Sequence, residues 1–161
     1  MKLILCIALI VICFLLGRAF SIQYRDRKRI MESCLSFIDY VTSEIKYKSL
    51  SIKKICKNFN INNKQFLKLV DCYYDSLRVS TSFEIVSKEF NILSNEDKTL
   101  IENLFNSIGK YDVDTQVKEL GKFREECEKQ RELATLDYNK YSSLYSKLGL
   151  IIGIAISILL V

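Results

Sequence analysis

Two kinds of pattern alternate along the chain. Leu3–Leu16 and Leu148–Val161 carry no charged residue, and nearly all the charge lies between them. In the middle, apolar residues recur at steps of three and four, the period that lines one face of an α-helix. Ile30, Cys34, Phe37, Ile38, Val41 and Ile45 give such a face to a helix over Arg25–Lys46. A short helix is predicted at Ile52–Phe59. Asn62 with Gln65 reads as the start of another, carrying Phe66, Leu69, Val70, Tyr73 and Leu77.

Thr81 with Glu84 and Ser94 with Asp97 both have capping-box spacing. They predict a short helix over Phe83–Phe90 and a longer one carrying Leu100, Ile101, Leu104, Phe105 and Ile108. Gly109 is placed to end that second helix at positive φ. From Val113 the three–four spacing runs through Val117, Leu120, Arg124, Cys127, Arg131, Ala134, Tyr138, Tyr141 and Tyr145 into the second apolar run. Arginines at two core-like positions argue against a free-standing coiled coil. They are expected to pair with glutamates such as Glu128, with Lys122–Glu126 and Glu125–Lys129 as surface pairs.

Each uncharged run is shorter than the about 20 residues that cross a bilayer core. The first lengthens to Leu3–Ile22 if Arg18 snorkels, keeping its charge wet and its stem in lipid. The second lengthens backwards through Lys147, Tyr145 and Tyr141, residue types that suit the interface. A cleaved signal peptide is the alternative for the first run, with Gly17 and Ala19 as small residues near a cleavage point. Arg18, Arg25, Arg27, Lys28 and Arg29 follow that run, and basic flanks tend to stay in the cytoplasm. The expectation is a cytoplasmic middle domain anchored at both ends. Its divisions are 1–24 as a transmembrane and juxtamembrane segment, 25–146 as the helical domain and 147–161 as the second span. Arg18, Arg25, Arg27, Lys28, Arg29 and Lys147 are its membrane-interface residues.

The absence of proline and the presence of only five glycines keep the reading almost wholly helical. It is an all-α antiparallel bundle of about six helices, whose first and last helices run on into the membrane spans. Net charge is +5 for the chain and lower for the middle once Lys2 and Arg18 are set aside, which gives no case for a nucleic-acid surface. The 25–29 cluster has the composition that attracts anionic headgroups. Histidine is absent, so Cys–His nucleophiles, Ser–His triads and histidine metal sites are excluded. The six cysteines form no CxxC pair and read as small buried hydrophobes in a reducing compartment. No glycine-rich phosphate loop is present. The chain is expected to be a non-enzyme without cofactor, metal or small-molecule substrate.

One stretch resembles a known family. Phe105-Asn106-Ser107-Ile108-Gly109-Lys110-Tyr111-Asp112-Val113-Asp114-Thr115-Gln116 is followed by a long charged helix, and Tyr145 to Gly149 and Gly153 then open a terminal span. This is similar to stage III sporulation protein AB of endospore-forming bacteria. Gly17, Tyr24, the 25–29 cluster and Ser43–Tyr47 extend the similarity toward the amino terminus. Lys48-Ser49-Leu50 departs from the family's usual Thr-Pro. Phe105, Gly109, Asp112, Gln116 and Gly149 are the motif positions. Their chemistry suits a helix corner, in which Gly109 ends one helix, Asp112 caps the next and Gln116 faces the turn.

The resemblance implies a scaffold or coupling subunit of a secretion-like channel in the mother-cell membrane around the forespore. It implies a bundle like the cytoplasmic domain of type II secretion platform proteins. The implied partners are the membrane, the other stage III channel subunits and their cytosolic ATPase, subunit AA. That ATPase, or another cytosolic partner, is expected at the membrane-distal connections, 48–62 and 107–114. A membrane-tethered signalling or tethering bundle unrelated to sporulation is the alternative.

Overall fold

The computed structural model describes residues 2–48, 51–86 and 90–160, with side chains for 10–47, 51–86, 90–145 and 147–158. Its described residues form five helices: α1 (Lys2–Lys48), α2 (Ile52–Asn58), α3 (Lys64–Val79), α4 (Asn95–Ser107) and α5 (Val113–Leu160). Two compact units result. One is Met1–Lys28 with Leu133–Val161, and the other is Arg29–Glu132.

Arg29–Glu132 is a bundle around aromatic side chains. The faces foreseen at steps of three and four turn inward: Ile30, Cys34, Phe37, Ile38 and Val41 on α1 are at most 1% exposed, as are Leu120 and Cys127 on α5. Phe105 lies at the centre, stacked on Tyr73 at 4.6 Å and edge-on to Phe83 at 4.9 Å and Phe37 at 5.3 Å. Burial pushes the Tyr73 hydroxyl above its ordinary range.

Helix starts show where local reading holds and where it slips. Ser94 and Asp97 form a reciprocal capping box, Asp97 N–H donating to Ser94 Oγ and Ser94 N–H to Asp97 Oδ2. The start of α3 is displaced by one residue: Asn63, not Asn62, accepts from the Gln65 and Phe66 amides. Its own amide donates to Arg29 O and Ser33 Oγ on α1, so a tertiary contact selects which asparagine caps.

The expected helix over 83–90 is absent from its described part. Residues 81–86 form an irregular strap, while 87–89, like Ser49 and Leu50 of the departure noted above, lie outside the described residues. Asn106 on α4 accepts from Phe83 N–H and donates to Phe83 O, and Glu102 accepts from Ile85 N–H. Those bonds compete with the backbone bonds that a Thr81–Glu84 helix would make, and this lowers the helix count from about six to five among the described residues. Lys122 also differs, pairing with Glu119 at 2.6 Å. Arg124 and Arg131 both reach Glu128, and Arg124 also meets Asp39 of α1 at 2.9 Å.

Three bundle cysteines are buried and Cys72 is exposed. The Cys34 thiol is raised well above its ordinary value, first by hydrogen bonding with the Cys127 thiol and then by burial. Burial pushes Cys56 up to about 12. Thiolates are the reactive species, so brief iodoacetamide treatment of the native chain should label Cys72 and spare Cys34, Cys56 and Cys127 until denaturation. Peptide mapping that finds Cys34 or Cys127 modified in the native chain would contradict this packing.

Candidate functional site

Two places carry the residues singled out in the sequence. The first is the corner between α4 and α5. Phe105 anchors the end of α4 in the core, Ile108 caps it and Gly109 follows at φ 85°. Gly109 N–H donates to Gln116 Oε1 at 2.8 Å, and Gln116 is 1% exposed. Asp112 Oδ2 accepts from Thr115 N–H and Asp112 O from Gln116 N–H, opening α5. These bonds hold the corner, while Gln116 Nε2 is buried without a hydrogen-bond partner.

Hydrogen bonds from the Thr115 side chain and amide hold the Asp112 carboxyl below its ordinary value of 3.8. A depressed carboxylate contributes stability above its unfolded value, and that contribution fades as pH falls through the folded one. Asp112→Ala should lower the melting temperature at neutral pH, and the gap from wild type should close below pH 3.8. Circular-dichroism melts of the full chain would show it, and an unchanged neutral melt would move Asp112 from folding to partner binding.

The second place is the pair formed by the apolar ends of α1 and α5, which pack antiparallel. A side chain at Gly149 would meet Cys13 O at 2.6 Å, and one at Gly153 would meet Ile10 Cα at 3.0 Å. Gly17 packs directly against the carbonyl of Tyr145. Beyond the glycines, Tyr24 stacks on Tyr141 at 4.8 Å and on Tyr145 at 6.1 Å. Among the described residues, α5 is the one helix long and apolar enough to cross a membrane, and only 12% of its most apolar window is buried. A core helix of a soluble protein would be mostly buried there. The side chains of residues 2–9, which include half of the first apolar run, lie outside the described residues.

The family model for stage III sporulation protein AB matches residues 2–161, essentially the whole chain. The chain belongs to the stage III sporulation protein AB family. No curated protein and no solved structure matches it. Membership implies a role in stage III of sporulation, and with the apolar α5 it points to association with a membrane.

In this family member the residues picked from the sequence fall into separate groups. Phe105, Gly109, Asp112 and Gln116 meet at the corner, and Gly149 belongs to the helix pair. The basic residues are not one cluster. Arg27 binds Asp137 at 2.7 Å, Lys28 lies 5.8 Å over the Tyr138 ring, and Arg18 and Arg25 line a cleft with Ser142. Lys147 and Arg29 are exposed. Sequence reasoning missed the Arg27–Asp137 pair, whose partners are 110 positions apart. Its signal was the antiparallel register of two apolar ends, which brings residue 27 beside residue 137.

Proposed function

We propose that this chain is a non-catalytic, membrane-anchored coupling subunit of a sporulation channel. Both apolar ends span the mother-cell membrane around the forespore, and the bundle lies in the cytoplasm. The observation that carries this reading is the glycine-lined pairing of the two ends, with Gly17, Gly149 and Gly153 admitting backbone contact between α1 and α5. Close approach through small residues is how helices associate in lipid, where burying apolar surface gives no drive. The tyrosines at 24, 141 and 145 suit the adjoining interface. Family membership supplies the sporulation context.

One contact within the bundle supports a docking surface. The Gly109 corner packs on Ile52 of α2, which brings the start of α2 beside the connection between α4 and α5. A cytosolic ATPase, subunit AA by the family resemblance, is assigned to that joined surface. Heat-resistant spore counts from a strain lacking the gene should collapse after engulfment and return with a restored copy. Normal counts would remove the channel role. Photo-crosslinkers at Lys53, Lys57 and Tyr111 should capture the ATPase in sporulating cells. Capture at Arg29 with silence at those three positions would overturn the docking surface.

A further inference from the structure

Arg18, Ser21 and Arg25 recur on one face of α1, and Tyr138 and Ser142 stand four apart on α5. With Phe14 they line a cleft of about 270 Å³. The neighbouring cations are already engaged, Arg27 by Asp137 and Lys28 by the Tyr138 ring. Those lining the cleft are held less firmly. Arg18 has no ion-pair partner among the described residues. Arg25 Nε lies 3.7 Å from Asp26 Oδ1, too long for a hydrogen bond, and is left without an acceptor. The Ser21 hydroxyl donates to Arg18 O at 2.7 Å, which leaves the two guanidiniums as the principal donors.

Two forked guanidiniums converging on one cleft match the oxygens of a phosphate, which they bind bidentately. The cleft also has an apolar end. Phe14 continues into Val11 and Leu15, which are 49% and 57% exposed. A soluble anion makes no use of that edge, whereas a phospholipid has a glycerol and acyl chains to lay along it. We propose that this cleft binds the phosphate of an anionic phospholipid. The assignment rests on the reading that the apolar ends stand in a bilayer, which puts Arg18 and Arg25 at headgroup depth.

The test takes the full chain in detergent micelles with palmitoyl-oleoyl phosphatidylglycerol, read by native mass spectrometry. Wild type should retain one lipid, and the Arg18→Gln, Arg25→Gln double variant should lose occupancy by roughly tenfold or more. Arg29→Gln, outside the cleft, should match wild type. Equal retention by the double variant, or equal loss from Arg29→Gln, overturns the proposal. Ser142→Asp sets a carboxylate in the cleft and keeps both arginines, so it should expel the lipid while helical content is unchanged. That variant decides the matter if the double variant fails to fold.

Inorganic phosphate at millimolar concentration should not compete. Displacement of the lipid by it would reassign the cleft to a soluble anion. Flotation with vesicles of phosphatidylcholine and phosphatidylglycerol separates the two readings. Wild type and double variant should both float. Failure of both removes the membrane anchor and this proposal with it, whereas flotation of both with equal lipid retention removes this proposal alone.

Discussion

Phe105→Ala should destabilise the bundle by about 3–5 kcal/mol, the range for deleting a buried aromatic ring. Phe105 is 1% exposed and touches three other rings, from α1, α3 and the strap. Truncation leaves a void that those rings cannot all fill, since Phe37 is also held edge-on by Phe59 and Phe66. Transfer and cavity terms therefore add. Phe105→Leu keeps most of the volume and should cost much less. Urea unfolding of the detergent-solubilised chain, followed by circular dichroism, measures both. Equal midpoints for the alanine variant and wild type would mean that Phe105 is not at the centre of the core.

The second large effect is expected at Gly109. A valine there adopts φ 85°, where its branched Cβ is crowded by its own backbone, and its Cβ also runs into Ile52 Cδ1. Which term dominates follows from what can move. Cδ1 is the far end of a flexible side chain and can rotate away, while the backbone is fixed by the Gly109–Gln116 bond. The dihedral strain is the larger share, and the two together come to about 2–3 kcal/mol. Gly109→Asn visits positive φ with less strain and should recover much of the loss. Equal destabilisation by valine and asparagine would place the cost in the contact with Ile52 instead.

Helical periodicity made most of this fold legible. The inward faces of α1, α3, α4 and α5 depend on residues three and four apart, which a sequence displays directly. What escaped depends on distant partners. Thr81 and Glu84 have the same spacing as Ser94 and Asp97, yet only the second pair caps a helix, because Asn106 and Glu102 take up the backbone of the strap. Asn62 and Asn63 are equivalent locally, and Arg29 O and Ser33 Oγ decide between them. Of the candidate site, the 105–116 motif could be read because its partners are within twelve positions. The division of the basic residues could not, since it follows from α5 lying against α1.

The glycines of the apolar pair have one further consequence. Gly17, Gly149 and Gly153 all turn toward the other helix of their own chain. If both ends lie in a bilayer as proposed, the surface left for lipid is set with Val11, Ile12, Leu15, Leu16, Ile151, Ile152 and Ile158, all at least two-fifths exposed. Branched side chains of that size would keep a neighbouring helix at arm's length wherever they project. The three glycines are spent in closing the hairpin on itself, which withholds them from a second copy.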